Sequence, residues 1–214
     1  MIKSEKVNVT CIHCGKSFPS SIFPVLDVEQ DPRLYRKALD TTLFIKVCPY
    51  CHKDTVFPYA CIYFDKQRKL IIGAGMDEKM FMENVLHLVE DIQQYTLRIV
   101  DQPVELSEKL ELYHARMKDT LIECMKYHLM ETMHDQGIDA VHLIYHQNKM
   151  IVIDSQGNAG TVNFEQSWYQ EAVRVYKDLA ETKSKGVLKI DDAWAKSVLH
   201  PLKLEETDEA VSIN

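Results

Sequence analysis

The sequence predicts an α+β fold from three observations. Two Cys-x-x-Cys pairs, Cys11-Ile12-His13-Cys14 and Cys48-Pro49-Tyr50-Cys51, lie near the N-terminus. Apolar residues recur at helical spacing through the middle of the chain, and three short β-prone runs separated by turn residues follow between positions 140 and 164. Helical and alternating periodicities distinguish these element types. Each cysteine pair can place two thiolates on one metal from a single tight turn, and two such turns supply the four sulfur ligands of a tetrahedral structural Zn²⁺ site at roughly 2.3 Å per bond. The expected architecture is therefore an N-terminal zinc ribbon with an inserted helix, followed by helices and a small antiparallel β-meander. Cys11, Cys14, Cys48 and Cys51 are its metal ligands.

The segment between the pairs carries structure of its own. Asp31-Pro32 reads as a helix start, with an Asp cap followed by Pro where a missing N–H does no harm. Leu34, Tyr35, Ala38 and Leu39 then form an apolar stripe, and Leu43 to Val47 reads as a strand running into the second cysteine turn. Thr55 to Phe64 and Lys69 to Ile72 read as a hairpin around Asp65-Lys66-Gln67-Arg68. An amphipathic helix is expected from Met76 to Gln93, then a short strand from Tyr95 to Val100. Pro103 opens further helical sequence, whose apolar positions continue through Leu121, Met125, Leu129 and Met133 to a stop at Gly137.

Ala140 to Tyr145, Met150 to Asp154 and Thr161 to Phe164 are the three strands of the meander. A helix from about Gln166 to Lys183 follows, and Asp191 and Asp192 suit the start of a last helix around Ala193 to Leu199, since acidic groups are favoured at that end of the helix dipole. The residues from about Leu204 are acidic and expected to fray. These elements group into a ribbon module over 1–75, a helical segment over 76–137, and a meander with helices over 138–214.

The run CIHCGKSFPSSIFPVLDVEQDPRLYRKALDTTLFIKVCPYC, then FPYACIYFDKQRKLII, resembles the CpXC-domain family of prokaryotic proteins, which is named for paired Cys-Pro-x-Cys motifs. The resemblance continues through LRIVDQPVELSEKLELY and the helix after it, over roughly the first 135 residues. It implies cysteine-bound zinc and a prokaryotic cytoplasmic setting, and it implies no reaction. Ile12 stands where the first motif would have Pro, and His52 where Gly usually follows the second pair. His52 is therefore expected to accept a left-handed backbone, which His tolerates better than bulky branched residues do.

Several function classes lack their signatures. No apolar run approaches the roughly 18 residues of a membrane span. The N-terminus MIKSEKVNVT has no secretory apolar core, so the six cysteines are expected to be reduced in a cytoplasmic protein. There is no GxxxxGK[ST], no GxGxxG after a strand, no GxSxG and no HExxH. Cys48-Pro49-Tyr50-Cys51 matches the glutaredoxin dithiol, but the residues after Cys51 read as a turn entering a strand, where a reactive thiol needs a helix N-terminus. His128, Glu131 and His134 share a helix without a partner motif to complete a dimetal site. His142 and His146 are about 13 Å apart along a strand, too far to chelate one ion. Cys61 and Cys124 read as small buried residues.

The net charge of −7 is unevenly spread, with the ribbon mildly basic and the remainder acidic. Arg33, Arg36 and Lys37, with Lys66, Arg68 and Lys69, are modest basic clusters, so a nucleic-acid-binding regulator is one alternative and a thiol oxidoreductase another. Four-thiolate zinc has no open position for water. The function expected is a non-enzymatic, cytoplasmic protein-interaction or adaptor module, with a protein partner or a second copy of the chain meeting the ribbon surface or the helical segment.

Overall fold

Two antiparallel hairpins carry the cysteine pairs in a computed structural model that describes residues 4–200. The chain divides into two compact units, Met1–Leu110 and Glu111–Asn214. In the first unit, β1 (Glu5–Thr10) pairs with β2 (Ser17–Ile22), and this register sets Val9 opposite Phe18, both buried. The second hairpin joins β4 (Ile45–Val47) to β5 (Asp54–Val56), with Lys46 opposite Thr55. Between the hairpins lie β3 (Val25–Asp27) and helix α1 (Arg33–Leu39), which buries Leu34 and Ala38. Pro32 already has helical angles, φ −59° and ψ −18°, and the Asp31 carboxylate accepts the Arg33 N–H at 3.1 Å, so the Asp-Pro start works as the sequence predicts.

A four-stranded sheet of order β3-β6-β7-β8 completes this unit. Strands β6 (Cys61–Asp65) and β7 (Leu70–Ala74) form the predicted hairpin, while β3 joins β6 and β8 (Thr96–Val100) joins β7 in parallel. Every residue of β7 is buried, as a central strand requires. Helix α2 (Glu78–Leu88) connects β7 to β8, capped by Asp77, whose carboxylate accepts the Met80 N–H at 2.8 Å. Phe81 of α2 is fully buried against Gly73 of β7, where no side chain intervenes.

Three expected elements are shorter in the structure. The run from Leu43 starts as a 3₁₀ turn (Thr42–Phe44), because Thr41 adopts φ 58° and redirects the chain before β4. The strand expected from Thr55 to Phe64 is two strands: β5 pairs with β4, and β6 enters the larger sheet after Pro58. The helix expected to reach Gln93 stops at Leu88; Val89 is extended at φ −140° and Ile92 lies in a separate 3₁₀ turn.

Helix α3 (Pro103–His114) contains the boundary between the units. It ends at Arg116, φ 57°, with the Met117 N–H reaching the Leu112 carbonyl and the Arg116 N–H the Tyr113 carbonyl. Helix α4 (Asp119–Asp135) ends with the same hydrogen-bond pattern at Gly137. Strands β9 (His142–His146), β10 (Lys149–Ile153) and β11 (Ala159–Asn163) form the meander with β10 central, followed by α5 (Gln166–Lys183) and a helix over 192–200, α6. The Asp191 carboxylate caps α6 by accepting the Trp194 N–H at 2.8 Å. One core gathers Leu121, Met125, Tyr145, Met150, Phe164, Ala172, Trp194 and Leu199, with Met130, Met133 and Trp168 packed at its margin. Met125, Met130 and Met133 of α4 thus help to fill this core. The acidic stretch from about Leu204 lies outside the described residues.

Candidate metal centre

The two cysteine turns are one local structure built twice. In the first, the Cys11 N–H donates to the Lys16 carbonyl at 3.0 Å and the Gly15 N–H to the Cys11 carbonyl at 2.9 Å. In the second, the Cys48 N–H donates to the Lys53 carbonyl at 3.0 Å and the His52 N–H to the Cys48 carbonyl at 2.9 Å. Both turns close through a left-handed residue, Gly15 at φ 72° and His52 at φ 57°. His52 therefore takes the conformation the sequence required of it, and the departure from Gly leaves the turn intact.

The hairpins bring the four sulfurs to one point. Cys11, Cys14, Cys48 and Cys51 have their Sγ atoms within 4.8 Å of one another. Cys11 lies 3.6 Å from Cys51 and Cys14 lies 3.7 Å from Cys48, so each close pair spans the two turns. Four bonds of roughly 2.3 Å at tetrahedral angles would set sulfurs about 3.8 Å apart, and the observed separations fit that edge. Cys11 and Cys48 are buried, Cys51 is half-buried and Cys14 is exposed. The apolar core the hairpins share is small: beside the cysteines it contains Val9 and Phe18, with Val7 and Phe57 packed against it, and Lys46 Nζ of the second hairpin donates to the Ser21 carbonyl of the first at 3.0 Å.

The electrostatics are those of sulfurs sharing one site. The Thr55 hydroxyl at 3.3 Å, aided by the His13 and Cys14 backbone N–H groups, lowers the Cys11 thiol to about 5. The Lys53 N–H also favours the Cys51 thiolate, but burial and the neighbouring Cys11, Cys48 and Cys14 thiols outweigh it and raise Cys51 to about 11. One sulfur ionises readily and its neighbour then resists, until a cation compensates the accumulating charge. A soft four-sulfur donor set of this kind can hold a metal ion.

The remaining sequence candidates lie elsewhere. Cys61 and Cys124 are fully buried outside the cluster, and burial pushes each thiol up to about 12. The ring of His134 donates from Nε2 to the Ala140 carbonyl at 2.6 Å, tying down the end of α4, and His146 Nδ1 meets the Glu111 carboxylate at 2.6 Å. Among the described residues no second group of three or more metal-ligating side chains comes together. Arg33 is bound to Asp31 and Arg68 to Asp65, which neutralises part of both basic clusters. Cys51 is followed by strand β5 where a redox dithiol would need a helix. Sequence reasoning missed Thr55, whose role depends on the docking of one hairpin on the other and leaves no local signal.

Fold and site together define a mixed α+β protein with a four-cysteine cluster able to bind one metal ion. The chain belongs to the CpXC protein family, which it matches over residues 9–126, a span that includes both cysteine turns. No curated protein and no solved structure matches it significantly. Among the described residues, no helix is long and apolar enough to cross a membrane.

Proposed function

We propose that Cys11, Cys14, Cys48 and Cys51 hold one structural Zn²⁺, making the two hairpins a zinc ribbon, and that the protein is a non-enzymatic, cytoplasmic interaction or adaptor module. The observation that carries the metal reading is the convergence of four sulfurs from two separate hairpins, with inter-turn separations of 3.6 and 3.7 Å. Four thiolates saturate a tetrahedral zinc, so the ion supplies folding free energy and offers no position for a substrate or water. The interaction role is supported by what surrounds the cluster. Ile12 and Tyr50, at the centres of the two turns, are 71% and 53% exposed, and Val47 and Val56 of the second hairpin are also exposed. Large side chains kept apolar and exposed around a rigid centre suit contact with another protein.

Elemental analysis of protein purified without added zinc, combined with thiol titration before and after chelation, tests the metal reading. About one zinc per chain, with four thiols unmasked by the chelator, is expected. Iron in place of zinc would overturn the metal assignment, since the same four-sulfur tetrahedron accepts it. Little metal together with rapid reaction of Cys48 would overturn the structural site altogether.

A further inference from the structure

Beyond the contacts among the sulfurs themselves, Cys11 is reached by a hydroxyl from the opposite hairpin. Thr55 stands in the middle of β5, 1% exposed, and its hydroxyl donates to Cys11 Sγ at 3.3 Å. The residue before it, Asp54, offers its carbonyl to the His13 Nε2–H at 2.9 Å. Two successive residues of β5 thus grip the first cysteine turn, one at the ring of its third residue and one at the sulfur of its first. The first turn's own His13 N–H approaches the same sulfur at 3.4 Å, so Cys11 receives donors from both hairpins.

We infer that Thr55 is a positioning residue of the metal centre, its hydroxyl holding the Cys11 thiolate in charge and direction for metal capture. This rests on the reading of the four cysteines as a metal site. Four thiolates around a divalent ion leave net negative charge, and an O–H dipole aimed at one sulfur stabilises it where water is excluded. The same contact links the hairpins, because the hydroxyl meets that sulfur only when the second hairpin is seated on the first. Groups that orient metal ligands in this way typically contribute 10–100-fold in affinity.

Zinc affinity by chelator competition, and the absorption spectrum of the Co²⁺-loaded full-length chain, should be compared for wild type, Thr55→Val and Thr55→Ser. Valine keeps the shape and β-branching and removes the donor; serine keeps the donor and removes the methyl. Thr55→Val is expected to lose about 10–100-fold in zinc affinity. Its thiolate-to-cobalt charge-transfer bands should move to lower energy, because a sulfur without its O–H donor yields an electron more readily. Thr55→Ser should stay close to wild type in both respects. Equal losses in the two variants would assign the effect to methyl packing, and a Thr55→Val chain matching wild type would show that the hydroxyl does not act on the metal; either overturns the inference. A wild-type chain that takes up neither zinc nor cobalt would instead overturn the metal reading, before any variant is compared.

Discussion

Metal removal should melt the cysteine hairpins while leaving the β6–β7 hairpin folded. The two hairpins, Glu5–Ile22 and Ile45–Val56, share little apolar core. Apart from cysteines, Val9 and Phe18 are the buried side chains of their shared core, and two such side chains contribute about 3–6 kcal/mol together. Backbone ladders of this length are marginal without a supporting core. A structural zinc, at roughly 10–16 kcal/mol apparent, would exceed that apolar contribution by several-fold. Amide hydrogen exchange before and after chelation reads this directly. Protection at Val7, Val9, Lys46 and Thr55 should fall by at least about 10³-fold, equivalent to about 4 kcal/mol of local stability. Amides of Cys61–Asp65 and Leu70–Ala74 should keep theirs, since those strands are buried in a sheet that contains none of the four clustered cysteines. Hairpin amides that stay protected once the metal has gone would refute this reasoning, and so would simultaneous loss of protection in β6 and β7.

At Gly73, alanine would put a Cβ 2.5 Å from Phe81 Cδ2 and 3.1 Å from Met76 Sδ; overpacking of about 1–3 kcal/mol outweighs the gain of about 0.4–1 kcal/mol from a stiffer unfolded chain, so Gly73→Ala should lower the urea midpoint, and a raised midpoint would count against it. Cys61 and Cys124, held up at about 12 by burial, should resist iodoacetamide at mildly alkaline pH in the native protein, and Cys124→Ser should leave metal content unchanged; fast labelling of either would contradict their placement. The Asn158 side-chain and backbone N–H groups hold the Asp154 carboxyl below its ordinary 3.8, so its stabilisation is present above that value and is lost as pH falls through the lower folded value. The melting-temperature gap between wild type and Asp154→Ala should accordingly be flat at neutral pH and close on strong acidification, whereas a gap that widened would reverse the sign of the argument.

Where one residue type commits the backbone, the sequence is readable. Asp31-Pro32, Asp191 and Gly137 each announce a helix end, and α5 runs from Gln166 to Lys183 as its periodicity indicates. The contrast between Arg116 and Gly137 is instructive. Both close a helix with the same left-handed geometry, but an arginine there carries no sequence signal, so the break between α3 and α4 cannot be placed from residues alone. Likewise Ile92 keeps the helical phase of α2 after the helix has ended at Leu88. The four-cysteine cluster is legible because paired cysteines state their chemistry locally. Thr55 is not, because it lies 44 positions from the sulfur it reaches and a threonine in a strand has many ordinary reasons to be there. The parallel pairings of β3 with β6 and β7 with β8 are non-local in the same sense.

The chain has two tryptophans, Trp168 and Trp194, and both pack on the core of the second unit. Indole emission is therefore a private channel for that unit: Trp194 is nearly enclosed and its ring N–H has no hydrogen-bond partner among the described residues, so its spectrum should shift when that core opens. The first unit holds tyrosines and phenylalanines but no indole. A single titration followed by tryptophan fluorescence and by far-ultraviolet circular dichroism would then resolve, without labels or truncation, whether the two halves of the molecule yield together or one after the other.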